Sequence, residues 1–204
     1  GGTESNNITL KGILKKGDHF ITSSYEHPSI LNTAKKIEKS GIEVTYVKPD
    51  QNGIIKIENV EKEIKENTKL ISIMFLNNEI GSINPIKEIG VLCKKNNILF
   101  HSDAVQYLGK GYFNLKDYNI DILTLGAHKF YGPKGIGALI IKKGILVEPI
   151  IDGGGQENGL RAGTESPSLI AGMTEALKIA TENLNKNMEH VKKLDNLFIN
   201  ELDK

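Results

Sequence analysis

The run Leu70-Ile71-Ser72-Ile73-Met74-Phe75 is almost continuously apolar, the pattern of a strand covered on both faces of a sheet. Similar short runs stand at 19–23, 43–47, 98–102 and 120–125. Amphipathic stretches lie between them. Pro28 opens one with Ile30, Leu31, Ala34 and Ile37 on a single face, and Ser40-Gly41 stops it. Ile57, Val60 and Ile64 mark a second, and Ile86, Ile89 and Cys93 follow Pro85 in a third. Strand alternating with helix predicts an α/β architecture. From Pro167 the apolar positions repeat helically through Ala180 and continue in more polar form through Met188, Val191, Leu194 and Leu197, so one long or kinked helix is expected at the end.

With 204 residues and 25% of them charged, the chain suits one soluble domain with a sizeable core. A formal net charge of +1 gives no basic surplus for nucleic acid or an anionic membrane surface. No apolar stretch is long enough to cross a bilayer, and no basic segment followed by an apolar one opens the chain, so a cytoplasmic location is expected. The single cysteine, Cys93, excludes an internal disulfide framework or a cysteine-based metal cluster within the chain. Its helical spacing with Ile86 and Ile89 directs it into the core as a small hydrophobe.

The chemistry-bearing residues gather where the strands end. The run to Leu125 passes into Gly126-Ala127-His128-Lys129, and Gly132, Pro133, Gly135 and Gly137 then turn the chain. A half-buried lysine at such a strand end loses hydration, and the freed amine can attack a carbonyl. Asp103 closes another apolar run 26 positions earlier; a carboxylate there requires a cationic partner, and both residues are expected to project from neighbouring strand ends into one pocket. Asn77-Asn78 follows Phe75 at the edge where open α/β sheets place ligands. Gly1-Gly2-Thr3 precedes a helical pattern, and free amides at a helix start suit an anion. The five glycines between Asp152 and Thr164 argue for a backbone that approaches something closely.

Together these segments resemble the class V aminotransferases of pyridoxal-phosphate (PLP) fold type I, and most closely their NifS/IscS-type cysteine desulfurases. The resemblance implies a three-layer αβα fold with a mostly parallel mixed sheet, ending in a long helix. Residues 1–204 would be the PLP-binding large domain, with the family's N-terminal segment and small C-terminal domain outside it. It implies that Lys129 carries the cofactor, that Gly2, Thr3 and His128 hold its phosphate, and that His27 stacks on the ring and takes part in proton transfer. Asp103 would pair with the pyridine nitrogen, Asn78 and Gln106 would contact ring substituents, and Thr164 would reach the phosphate of a partner subunit in a homodimer. Gly126 departs from the pattern, since the family carries a phosphate-binding serine there.

The activity implied is desulfurization of L-cysteine to L-alanine, leaving an enzyme persulfide for an iron–sulfur scaffold or another sulfur acceptor. The family's sulfur-bearing cysteine and carboxylate-binding arginine lie C-terminal to this sequence, and Cys93 sits in the wrong segment to replace the former. The alternatives are a related class V enzyme, such as a selenocysteine lyase or aminotransferase, and an inactive dimerisation or partner-binding fragment. The Gly-Gly-Gly-Gln-Glu segment at 153–157 and Arg161-Ala162-Gly163-Thr164 favour the desulfurase over the other class V enzymes.

Overall fold

Phe20 and Ile21 are neighbours in sequence and both fully buried, yet they serve different layers. The same holds for Leu70 and Ile71. Side chains alternate across a strand, so a strand apolar at consecutive positions needs cover on both sides.

The computed structural model describes residues 1–202. Its strands are β1 (His19–Ser23), β2 (Glu43–Val47), β3 (Thr68–Ser72), β4 (Leu99–Asp103), β5 (Ile122–Gly126) and β6 (Gly137–Ile141). They form one six-stranded sheet in the order β2-β1-β3-β4-β5-β6. All neighbours are parallel except β5 and β6, which pair antiparallel with Gly126 opposite Gly137.

The helices are α1 (Gly2–Ile13), α2 (Pro28–Glu38), α3 (Ile57–Lys62), α4 (Ile86–Lys95), α5 (Pro167–Glu182) and α6 (Leu184–Leu202). On one side Leu10 of α1 and Ile30, Ala34 and Ile37 of α2 pack on Phe20 and Leu70. On the other, Val60, Ile86, Ile89 and Ala180 from α3, α4 and α5 cover Ile21, Ile71 and Leu123. The expected three-layer α/β fold is present. Local chemistry explains α2: His27 caps its start, Pro28 supplies a helical φ in the first turn, and Lys35 and Lys36 face the negative end of the dipole.

Beyond a one-residue shift of β4 from 98–102 to Leu99–Asp103, three boundaries differ from the sequence expectation. Regular pairing of β3 ends at Ser72: on its β1 side the Met74 N–H donates to the Glu26 carboxylate at 2.8 Å, while on its β4 side Ile73 N and Phe75 N still donate to His101 O and Asp103 O. The strand expected at 120–125 begins at Ile122, after the Asp121 N–H has bonded Phe100 O. The final helix is two helices, parted at Asn183, whose side chain donates to Ile179 O at 2.9 Å. Cys93 is in the core as expected, and burial pushes its thiol up to about 12.

Candidate active site

The C-terminal ends of β1, β3, β4 and β5 open into a cleft of about 840 Å³, the place where open parallel sheets bind ligands. Gly2, Thr3, His27, Asn78, Asp103, Gln106, His128 and Lys129 all line it. Five segments far apart in sequence therefore meet because adjacent parallel strands deliver their ends to one edge.

The first turn of α1 forms one wall. Its earliest intrahelical bond runs from Ser5 N to Gly1 O, so the amides of Gly2, Thr3 and Glu4 have no intrahelical acceptor. A Cβ on Gly2 would lie 2.9 Å from Val105 Cγ2, so only glycine brings these amides so close to the strand ends. His128 and Lys129 stand in a short 3-10 turn after β5. Partial burial and then the charges of Lys129 and Lys134 hold the His128 imidazole below its ordinary value. This end of the cleft is electropositive and suited to an anion.

Asp103 marks the opposite polarity. It is 6% exposed, accepts from Asn6 Nδ2 at 2.7 Å and from Val105 N at 2.9 Å, and is raised by burial above the usual carboxylate range despite those two donors. A carboxylate so placed is best met by a cation or a protonated nitrogen. Asn6 also donates to Ser29 Oγ at 2.8 Å, while its Oδ1 is buried without a partner among the described residues. Behind His27, Glu26 is buried, accepts from Ser23 Oγ and Met74 N, and is pushed up to about 8, chiefly by burial.

The two asparagines after β3 divide their work. Asn77 is buried and builds the turn, accepting from Glu79 N and Ile80 N. Asn78 is half-buried at the cleft and donates to Glu79 Oε1. Across from it, Gln106 accepts from Lys110 Nζ at 2.8 Å through its amide oxygen, which leaves its NH₂ as the free end.

Thr164 alone among the expected residues lies elsewhere. It is exposed and lines a separate groove of about 630 Å³ with Glu4, Arg161 and Met173. Its loop is nonetheless ordered against the cleft wall: Arg161 Nε donates to Glu4 Oε1 at 2.7 Å, and Gln156 Oε1 accepts from Gly163 N at 3.0 Å. Glu157 and Asn158 adopt left-handed φ of 50° and 56°, so the loop turns sharply there.

Sequence reading missed Asn6, Ser29, Glu26 and Lys110. The first had a usable signal, since Asn6 falls on the face of α1 that buries Ile13 and Leu10. The other three are set by tertiary contacts across 23 to 48 positions, or by a turn whose course the sequence leaves open.

An open, mostly parallel sheet with a lysine and a carboxylate at adjoining strand ends defines a fold-type-I cofactor scaffold. The sequence matches the aminotransferase class-V family over residues 1–204, and the chain belongs to that family. It is 51% identical over 201 residues to the cysteine desulfurase IscS of Clostridium botulinum (strain Kyoto / Type A2), covering 97% of this chain and 50% of that protein. A solved structure titled NifS-like protein superposes with a TM-score of 0.95 at 41% identity, covering 98% of this chain and 57% of that one. Another, titled SspA in complex with cysteine, gives a TM-score of 0.84 at 44% identity over 87% of this chain and 53% of that one. The chain spans about half the length of the relatives it matches. Among the described residues no helix is long and apolar enough to cross a membrane.

Proposed function

We propose that this chain is the PLP-binding large domain of a cytoplasmic L-cysteine desulfurase, which works as a homodimer and passes sulfur to an iron–sulfur scaffold or another acceptor protein. The observation that carries the reading is the polarity of the cleft. Helix amides, His128 and Lys129 line it together with the buried carboxylate of Asp103. PLP matches both features, with a phosphate for the amides and cations and a protonatable ring nitrogen for the carboxylate. The similarity to a structure in complex with cysteine supports cysteine as the substrate.

Lys129 would hold the cofactor through its amine, and Gly2, Thr3 and His128 would bind its phosphate. Asp103 would keep the ring nitrogen protonated, Asn78 and the free NH₂ of Gln106 would orient the ring substituents, and His27 would cover the ring and handle protons. Thr164 would complete the partner subunit's phosphate site. When bound, PLP supplies an electron sink for charge developing on the substrate, which no side chain offers. Cys93, buried and with its thiol raised to about 12, is no candidate for the sulfur-accepting thiolate.

Borohydride reduction of PLP-treated protein, followed by peptide mapping, tests the assignment: the label is expected on Lys129, and label on another lysine refutes it. This chain alone is expected to release no sulfide from L-cysteine. Sustained release that disappears in Cys93→Ser would overturn the exclusion of Cys93.

A further inference from the structure

His27 Nδ1 accepts a hydrogen bond from the backbone N–H of Ser29 at 3.1 Å. A backbone N–H can only donate, so this longer contact favours an unprotonated ring nitrogen without fixing it by itself. Ser29 Oγ lies 2.8 Å from the same nitrogen and itself receives the Asn6 side-chain N–H at 2.8 Å. A hydroxyl has one proton, and with a lone pair already engaged by Asn6 that proton points to Nδ1. The second N–H of Asn6 is held by Asp103 Oδ2 at 2.7 Å. Asn6 is 1% exposed and Ser29 8%, so water does not compete freely for these contacts.

We propose that Asn6 and Ser29 are positioning residues: through an unbroken series of hydrogen bonds from Asp103 they fix His27 as the tautomer with its proton on Nε2. Asn6 comes from α1, Ser29 from α2 and Asp103 from the end of β4, so three elements jointly set the state of a side chain on the cleft rim. His27 then meets a ligand as a hydrogen-bond donor through Nε2, and a proton can be added only at Nδ1, once both the Ser29 hydroxyl and the Ser29 backbone N–H have given up that nitrogen. The contacts themselves stand without the cofactor; only their use in the reaction rests on the PLP reading.

The test is the pair of ¹⁵N shifts of the His27 ring in this chain without PLP, assigned by their absence in His27→Gln. In the wild type Nδ1 is expected in the unprotonated range and Nε2 in the protonated range. In Ser29→Ala, and in the near-isosteric Ser29→Cys, whose thiol is a weak donor, the two shifts are expected to converge as the second tautomer becomes populated. Asn6→Ala is expected to do the same, with the other histidines unmoved. A protonated Nδ1 in the wild type overturns the proposal, as do unchanged shifts in Ser29→Cys and Asn6→Ala together. Because no PLP is present, failure here is distinct from failure of the cofactor assignment.

Discussion

Asn6 Nδ2 lies 2.7 Å from Asp103 Oδ2, so the first helix of the chain fixes a carboxylate at the end of the fourth strand, 97 positions away. Asn6→Ala would leave that carboxylate with Val105 N as its remaining donor, in a site where burial already raises it. The variant is expected to lose about 1–3 kcal/mol of stability at neutral pH. It should also raise the Asp103 carboxyl further. Urea unfolding and carboxyl ¹³C titration check the two effects.

Gly126 sits where the family carries serine, and its surroundings explain what that exchange would meet. A Cβ there would lie 3.1 Å from Val105 Cγ1, a tight contact that needs the valine to yield. Gly126→Ser alone is expected to cost about 1–3 kcal/mol of stability as an overpacked site. Paired with Val105→Ala it should recover stability. The added hydroxyl should then tighten PLP binding by about 0.5–1.5 kcal/mol, or about two- to tenfold. Thermal melts and PLP titration followed by absorbance decide both points.

Two buried groups give stability a pH dependence of opposite sign. Glu26 is raised from 4.5 to about 8, so the folded chain holds its proton where the unfolded chain releases it, and stability falls as pH rises through that window. His101 is buried against Ser72 and Thr124 and lowered from 6.5 to about 3, so stability falls as pH drops from 6.5 towards 3. Unfolding free energy is therefore expected to decline above 6.5 at up to about 1.4 kcal/mol per pH unit. Between 4.5 and 6.5 the contributions of these two groups oppose each other, and below 4.5 that of His101 acts without the opposing slope of Glu26. Glu26→Gln should remove the alkaline limb and leave the acid one. An alkaline limb that persists in that variant would assign it to another group.

His128 reports on the anion site. Its imidazole is held low by partial burial and by Lys129 and Lys134. A phosphate placed among these cations would favour the imidazolium, so its titration midpoint is expected to move up on adding inorganic phosphate or PLP, and less so at high salt. An unchanged midpoint at saturating PLP would separate His128 from the phosphate.

Much of this arrangement was legible in the sequence because parallel sheets obey a simple rule. A strand that is apolar throughout must be covered on both faces, and its C-terminal end lies at the ligand edge; that placed Lys129, Asp103 and Asn78 together. Contacts among side chains brought together only by folding were not legible. Nothing near Glu26 indicates that Met74 N will turn from its strand to meet it, and nothing near Ser29 indicates that Asn6 will reach it across 23 positions. The break at Asn183 was hidden for a related reason: α6 buries no side chain, so its weak apolar pattern carries no record of where it turns.

The strand order also bears on how the chain can be made. Once β1 has paired with β2 and then β3, each later strand joins the edge left by its predecessor, so none has to be inserted between strands already bonded. The exception is α1, synthesised ahead of β1 to β6 yet seated beside β5 and β6 as well as α2. At a synthesis rate of about 5–20 residues per second, this helix waits on the order of ten seconds for its final neighbours. Its first turn is also the wall of free amides, so this part of the cleft is assembled only once β5 and β6 have joined the sheet.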